Sequence, residues 1–294
     1  MNPLYQVHIG LSNICNMQCL HCYSKNDRKL LHGIVSMPRE KWLKIISEAK
    51  ELGCFKFVIV YGEPLLANNL FPFLRDALSE EMDIEISTNG SIMNYSIAKK
   101  LWEIGVKKIQ VSIDFADRER HDRYRGHSGA FDKAVNCIKI LKKFPFRVKI
   151  TSTILSSDVS DYENLLKLHK DLHTDMLYIL PRRISTYIKK NDALLCKRNE
   201  TILKFIEKNK KYSILCHDPH LFELAGGEHY EECYVGNIVH IDPLGNCRPC
   251  PLWDYVLGNV FEKKLINIWS NFDVSKFKKN ISHKLCYAQT VCKK

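Results

Sequence analysis

Short β-rich runs alternate with longer amphipathic stretches, in which apolar residues recur with a helical period, over the first 180 residues. These runs predict six strands, at residues 5–11, 55–60, 84–87, 108–113, 147–153 and 176–180. The stretches between them predict helices at residues 38–52, 70–80, 96–104, 130–143 and 162–172. Strands that alternate with helices pair in parallel through right-handed crossovers. The pattern therefore predicts an α/β fold, a partial barrel of six strand–helix units instead of a closed eight-fold barrel.

The alternation weakens after residue 181. A lysine-rich linker leads into a predicted helix at 196–212, and a hairpin at 238–250 and a short helix at 265–270 follow. Five cysteines lie beyond residue 228, in a segment too short to bury a core of its own. We therefore expect a barrel with its linker helix over residues 1–212 and a small, metal-stapled extension over residues 213–294.

Composition and targeting signals narrow the class of protein. Of the 294 residues, 45% are hydrophobic and 26% are charged, which is ordinary for a folded globular chain. No apolar run approaches the roughly 20 residues that cross a bilayer. Residues 1–10 lack the basic start, apolar run and cleavage site of a secretory signal. We expect a cytoplasmic protein with no membrane partner.

The charge balance is basic, with 44 Lys and Arg against 33 Asp and Glu and a net charge of +11. Such a balance can serve nucleic acid, and a metal-stapled nucleic-acid-binding protein without enzymatic activity is one interpretation. The lysines are spread along the chain without clustered aromatic residues between them and without a known nucleic-acid-binding module, which disfavours this interpretation.

Twelve cysteines without a secretory signal indicate metal ligation or redox chemistry. Cys15, Cys19 and Cys22 form a C-x3-C-x2-C triplet directly after the first predicted strand. In a parallel barrel the carboxyl ends of the strands form the catalytic rim. Zinc usually takes four ligands, whereas three thiolates in one loop suit an iron–sulfur cubane with one open iron.

Further motifs lie at the ends of the next three predicted strands: Tyr61-Gly62-Glu63-Pro64, Ser87-Thr88-Asn89-Gly90 and Val111-Ser112-Ile113-Asp114. With the triplet, they make the chain resemble the radical SAM superfamily over nearly its whole length. The resemblance implies that Cys15, Cys19 and Cys22 hold a 4Fe-4S cluster whose open iron binds S-adenosylmethionine.

The resemblance also implies contacts to S-adenosylmethionine. They are His21 at the adenine, Tyr61, Gly62, Glu63 and Pro64 at the methionine amino group, Ser87, Asn89 and Ser112 at the ribose, and Arg125 at the methionine carboxylate. The family usually has glycine at the position of Tyr61, so the local geometry there is open. Taken singly, Asn89-Gly90 is typical of a turn, and Arg125 could equally form a surface ion pair.

The tail resembles the SPASM or shorter twitch extension found in one branch of that superfamily. Cys233-x11-Gly245-x4-Cys250 matches its signature, and the remaining cysteines suffice for one auxiliary 4Fe-4S cluster. The expected ligands are Cys233, Cys250, Cys286 and Cys292, with Cys247 and His283 as substitutes. A structural zinc at the same residues is the alternative.

The resemblance implies an enzyme of oxidoreductase or epimerase type. It would reductively cleave S-adenosylmethionine, with electrons from a protein such as flavodoxin or ferredoxin, to a 5′-deoxyadenosyl radical that takes hydrogen from an unactivated C–H bond. We favour maturation of a ribosomally synthesised peptide by crosslinking, epimerisation or oxidation. The alternative is dehydrogenation or epimerisation of a small molecule such as an aminosugar or aminocyclitol.

Cys216 falls outside both ligand patterns, just before the segment that carries the auxiliary-cluster cysteines. A thiol that faces the substrate could return a hydrogen atom to the product radical, which would make Cys216 a catalytic residue. A buried apolar cysteine or a spare cluster ligand is the favoured interpretation.

Overall fold

An eleven-stranded sheet runs through the computed structural model, which describes residues 3–24, 33–154, 156–180, 192–217, 230–231, 235–251 and 255–275. The strands are β1 (Gln6–Gly10), β2 (Lys56–Val60), β3 (Asp83–Thr88), β4 (Lys108–Ser112), β5 (Arg147–Ser152), β6 (Met176–Ile179), β7 (Ile214–His217), β8 (Tyr230–Glu231), β9 (Ile238–Ile241), β10 (Asn246–Arg248) and β11 (Gly258–Asn259). Their order in the sheet is β11-β10-β9-β1-β2-β3-β4-β5-β6-β7-β8. From β9 through β1 to β8 all neighbours are parallel, whereas β9, β10 and β11 form an antiparallel meander.

Helices connect the parallel strands. They are α1 (Arg39–Glu51), α2 (Leu70–Ser79), α3 (Tyr95–Ile104), α4 (Arg118–Arg125), α5 (Ala130–Leu141), α6 (Val159–Asp171), α7 (Asp192–Lys208) and α8 (Leu265–Ser270). The α/β fold with a parallel sheet is confirmed, and the six predicted strands are β1 to β6.

Helix α4 was not predicted from the sequence, because it carries almost no apolar residues from which a helical period could be read. Its ends were nevertheless signalled. Asp117 caps the start by accepting a hydrogen bond from the Arg120 backbone N–H at 2.8 Å, and Gly126 follows the last residue.

Strand residues alternate between two environments, as the period of two requires. Val7, Ile9, Phe57 and Ile59 point outward and pack in the main apolar core with residues of the helices. The intervening residues point inward and line a central cavity, as Gln6 and Lys56 do. The apolar core thus lies between the sheet and the helices, and a cavity occupies the barrel interior.

The C-terminal part joins the same sheet at both edges. Strand β7 pairs in parallel with β6, and β9 pairs in parallel with β1 in the register Gln6↔Ile238. Helix α8 packs against α1, where the Leu265 backbone N–H donates to the Glu48 carboxylate. The division of the chain at residues 212 and 213 stays a prediction. Within the described ranges, no helix is long and apolar enough to cross a membrane.

Candidate active site

A cavity of about 450 Å³ lies inside the barrel. Four cysteines line it: Cys15, Cys19 and Cys22 of the triplet, and Cys250 of the C-terminal segment. This volume is ordinary for a site that holds a small molecule or cofactor. The cysteines that the sequence divides into two groups therefore face one shared space.

The loop after β1 brings the three thiols of the triplet together. Met17, Cys19 and Ala130 form a small buried cluster against which Cys15 and Cys22 pack. The Leu20 backbone N–H donates to the Tyr124 carbonyl at 2.9 Å, which ties the loop to α4. In the described part of the chain, no group of three His, Cys, Asp or Glu side chains is placed to hold a single metal ion, and the three cysteines of the triplet all line the cavity.

Gly62 brings the segment after β2 into direct contact with the cysteine loop. The Glu63 backbone N–H donates to the Ile14 carbonyl at 2.8 Å. Gly62 has a φ of +66°, and a Cβ atom there would lie 2.3 Å from the same carbonyl oxygen. Only glycine allows this approach, so the backbone after β2 is fixed against the residue that precedes Cys15.

Substitution of Gly62 by alanine should therefore displace the cysteine loop. The matched control is Gly53→Ala, because Gly53 has a φ of +86° but nothing within 4 Å of the added Cβ. We expect Gly53→Ala to cost about 1–2 kcal/mol of unfolding free energy from backbone strain alone. Gly62→Ala should cost more and should lower the iron retained per chain. Urea unfolding and iron analysis check this, and equal losses in the two variants would contradict it.

Tyr61 adopts the backbone conformation that glycine favours, with a φ of +70°. Its side chain is buried, and its ring meets that of Tyr23 edge-on at 6.5 Å between centroids. A Cβ atom on Gly10 would lie 2.7 Å from the Tyr61 Cβ, so the small residue at the end of β1 makes room for the tyrosine. The departure from the usual glycine therefore keeps the left-handed turn.

Glu63 is buried and holds two strand ends together. Its carboxylate accepts hydrogen bonds from the Thr88 hydroxyl at 2.7 Å, the Asn89 backbone N–H at 2.7 Å and the Leu65 backbone N–H at 3.1 Å. Burial raises the pKa of Glu63, although these donors oppose the shift. Glu63 thus links the segment after β2 to the end of β3.

Asn89 links the end of β3 to the cysteine loop. Its side-chain amide donates to the Asn16 side-chain oxygen at 3.0 Å, and Asn16 in turn donates to the Ser91 hydroxyl at 2.8 Å. Asn89, Ser87 and Ser112 all line the cavity. The residues expected at the ribose therefore share one surface.

Arg125 forms a buried ion pair, not a surface one. Its Nε lies 2.6 Å from Oδ2 of Asp114, which is fully buried at the end of β4. Its Nη1 lies 3.8 Å from the Cys19 Sγ. Burial raises the pKa of the Cys19 thiol, and the Arg125 guanidinium opposes that shift.

His21 stacks on Tyr124 of α4, with centroids 4.4 Å apart and ring planes 14° from parallel. Its Nε2 lies 3.8 Å from the Asp114 carboxylate. His21 still lines the cavity, so one face of this network is available to a ligand.

His121 supports Asp114 from α4 and must be neutral to do so. Its Nδ1 accepts a hydrogen bond from the Asp114 backbone N–H at 3.1 Å. Burial lowers the pKa of His121 from its ordinary 6.5 to about 4.

This pKa predicts a loss of stability in acid. Between pH 6.5 and 4 the unfolded chain protonates His121 and the folded chain does not, so stability falls as the pH drops through this window, by about 3 kcal/mol. His121→Asn keeps an acceptor but cannot titrate there. Urea unfolding from pH 7 to 4 should therefore give a flatter curve for this variant than for the wild type, and parallel curves would refute the assignment.

Two of the expected cysteine positions are corrected by the structure. Cys216 is fully buried in the apolar core, and its neighbour Leu215 lines the cavity instead, as the alternation along β7 requires. Cys216 thus has the position of a buried apolar cysteine, the favoured interpretation, and its surroundings do not support a hydrogen-donor role. Cys247 is likewise fully buried in the core on β10, and burial raises the pKa of its thiol, so it is a poor substitute ligand. Cys233, His283, Cys286 and Cys292 lie outside the described residues.

A set of polar residues inside the barrel was not predicted from the sequence. They stand on inward-facing positions of five neighbouring strands: Gln6, His8, Lys56, Glu85, Gln110, Lys149 and Thr151. The signal was present as polar residues at every second position of four of these strands, whereas β2 has valines at its inward positions after Lys56. Barrels with packed interiors carry branched apolar residues there.

Comparison with known proteins defines the class. The family model of the radical SAM superfamily matches residues 9–171, more than half of the chain. The SPASM model, described as an iron–sulfur cluster-binding domain, matches residues 233–293. The chain belongs to the radical SAM superfamily and carries a SPASM-type extension. Its cofactors are accordingly a 4Fe-4S cluster with S-adenosylmethionine and an auxiliary iron–sulfur cluster.

Among individual relatives, the AdoMet-dependent heme synthase of Methanosarcina barkeri is 25% identical over 88% of this chain and 80% of its own length. The PqqA peptide cyclase of Granulibacter bethesdensis is 23% identical over 88% and 72%. Among solved structures, Streptococcus suis SuiB bound to precursor peptide SuiA matches with a TM-score of 0.76 at 19% identity, over 99% of this chain and 71% of that one. Native anSMEcpe with bound AdoMet matches with a TM-score of 0.72 at 18% identity, over 97% and 88%.

Proposed function

We propose that this radical SAM enzyme removes hydrogen from an unactivated C–H bond of a ribosomally synthesised peptide, as a step in its maturation by crosslinking, epimerisation or oxidation. The observation that carries the proposal is the convergence of the cysteine triplet, the Gly62 backbone, the buried Arg125 and Cys250 on one cavity.

The site roles follow from this convergence. Cys15, Cys19 and Cys22 would hold the cluster, because three cysteine ligands lining one cavity would leave one iron of a 4Fe-4S cluster for another ligand. Together with bound S-adenosylmethionine, that cluster would supply the 5′-deoxyadenosyl radical. The backbone after β2 would meet the methionine amino group, since Gly62 keeps it open to a close approach.

The remaining polar groups would orient S-adenosylmethionine. Ser87, Asn89 and Ser112 line the cavity where the ribose would lie, and His21 offers a ring for the adenine. Arg125 would meet the methionine carboxylate. Its pairing with Asp114 holds the guanidinium in one orientation, so little side-chain freedom is lost on binding.

The C-terminal segment would place the auxiliary cluster beside the substrate. Cys250 borders the cavity, and we propose it as a ligand together with Cys233, Cys286 and Cys292. The site would then be supplied with electrons by a flavodoxin or ferredoxin in the cytoplasm.

Two of the relatives support a peptide substrate. One is a PqqA peptide cyclase, and SuiB was solved with a precursor peptide, matching 99% of this chain in fold. A small-molecule substrate is the second candidate. It is favoured by the heme synthase relative, which also spans 88% of the chain, and the fold of BtrN, solved with AdoMet and 2-DOIA, also matches with a TM-score of 0.56.

Deuterium transfer tests the proposal. Short peptides encoded beside the gene would be made fully deuterated and incubated anaerobically with the reduced enzyme and S-adenosylmethionine. Mass spectrometry should then find deuterium in the 5′-deoxyadenosine. If 5′-deoxyadenosine forms without peptide deuterium, and deuterated small molecules donate it instead, the second candidate replaces the first.

A further inference from the structure

The floor of the barrel holds a charged cluster of Lys56, Glu85 and Lys149, which stand on β2, β3 and β5. The Lys56 ammonium lies 2.5 Å from one Glu85 carboxylate oxygen, and the Lys149 ammonium lies 2.8 Å from the other. All three residues line the same cavity as the cysteine triplet. We call these three residues the floor cluster.

The floor cluster carries one positive charge in excess, because two ammonium groups face one carboxylate. Burial opposes the ionisation of Glu85, but Lys149 and Lys56 hold its pKa below the ordinary value. Each ammonium can donate three hydrogen bonds. In the described part of the chain, Glu85 is the acidic residue that each of these lysines contacts. Both lysines line the cavity, so their remaining N–H groups can donate to a ligand there.

Stability of the fold does not explain the floor cluster. Buried ion pairs are often no more stabilising than well-packed apolar residues of similar volume. The next pair along the sheet, Lys108 with Asp83 at 2.5 Å, does not line the cavity. The charged residues that face the cavity therefore make a polar, cationic floor inside the barrel.

The depth of the floor cluster suits an extended substrate. Lys56 is the first residue of β2, about 13 Å along the strand from Val60 at the carboxyl end, and Lys149 is about 10 Å from the end of β5. A group held here would lie below the cysteine triplet while the reacting carbon lay near the rim.

We propose that Lys56 and Lys149 bind a carboxylate of the substrate, so that the enzyme selects substrates with an acidic group inserted into the barrel. This inference deepens the proposed function and rests on it only in placing the substrate inside the barrel. The carboxylate could belong to an acidic side chain of a peptide or to a free dicarboxylate, which share the recognising chemistry.

The test measures binding to the iron-loaded enzyme with S-adenosylmethionine, by anaerobic equilibrium dialysis. The probes are N-acetylglutamate methylamide, its neutral isostere N-acetylglutamine methylamide, and glutarate. We expect the wild type to bind the acidic probe at least about tenfold more tightly than the neutral one, as suits a charge-assisted hydrogen bond. Tighter binding of the methylamide than of glutarate would assign the carboxylate to a peptide, and the reverse would assign it to a small molecule.

The variants separate binding from structure by the sign of their effects. Lys56→Met and Lys149→Met should abolish the preference for the acidic probe, whereas Lys108→Met should keep it. Glu85→Gln should strengthen binding of the acidic probe about threefold or more, because it removes the competing carboxylate. Circular dichroism confirms that each variant is folded. No preference in the wild type, equal loss in Lys108→Met, or weaker binding in Glu85→Gln would overturn the proposal.

The result of the binding test does not depend on whether the proposed function is correct. Probe binding does not require S-adenosylmethionine cleavage, so a cationic floor that binds the acid would stand even if no 5′-deoxyadenosine formed. Conversely, an enzyme that forms 5′-deoxyadenosine but shows no preference among the probes would retain the proposed function and lose the floor-cluster inference.

Discussion

Protein in which Cys15, Cys19 and Cys22 are all replaced by alanine should hold half the iron of the wild type after anaerobic reconstitution. Two 4Fe-4S clusters give about eight irons per chain, and loss of the barrel cluster leaves about four. The physical reason is that these three cysteines lie in the loop after β1, while Cys250 and the other expected auxiliary ligands lie in the C-terminal segment. Iron and sulfide analysis with electron paramagnetic resonance of the reduced protein measures the change.

The matched control for this prediction is Cys54→Ala. Cys54 is also buried, but its Sγ contacts the Lys56 carbonyl at 3.4 Å and it does not line the cavity. This variant should keep all the iron of the wild type. Zinc without iron in anaerobically prepared wild type, or equal iron loss in the two variants, would contradict the assignment.

Asp114→Ala should be among the most destabilising single substitutions in the chain. It leaves the buried Arg125 guanidinium without its carboxylate and the Thr153 backbone N–H without the acceptor that it meets at 2.7 Å. Breaking a buried ion pair from one side costs about 3–5 kcal/mol. Since a typical domain has about 5–15 kcal/mol of unfolding free energy in all, the variant should be near its limit of stability. The midpoint of urea unfolding measures the loss.

Two comparisons isolate the cause. Glu163→Ala breaks an ion pair between exposed side chains, in which Lys208 Nζ lies 3.0 Å from Glu163, and should cost about 0–1 kcal/mol. The double variant Asp114→Leu with Arg125→Met removes both charges and should regain part of the loss. If the double variant is no more stable than Asp114→Ala, the uncompensated charge is not the source of the cost.

The sequence predicted the rim of the site because its motifs are local. Cys15, Cys19 and Cys22 lie within eight residues of each other, and Gly62 and Asn89 each follow a strand whose end could be read from its apolar run. Parallel strands place their carboxyl ends at one edge of the sheet, so motifs that are far apart in the sequence lie close together in the structure.

The interior of the site could not be read in the same way. His21 meets Asp114 from a distant part of the chain, and Arg125 meets Asp114 only through the formation of helix α4, which has no apolar period. Lys56, Glu85 and Lys149 each look like a solvated strand position. Only the curvature of the sheet turns these positions toward the cavity, and the alternation along β7 places Cys216 in the core.

Cleavage of S-adenosylmethionine by the wild type is the most direct test of the central claim that the cavity is a radical SAM active site. Iron-loaded protein would be reduced with dithionite under strict anaerobiosis, incubated with S-adenosylmethionine alone, and sampled by liquid chromatography and mass spectrometry. We expect slow formation of 5′-deoxyadenosine and methionine in equal amounts, and neither product from the triple cysteine variant. Fully iron-loaded, reduced wild-type protein that leaves S-adenosylmethionine intact would contradict it.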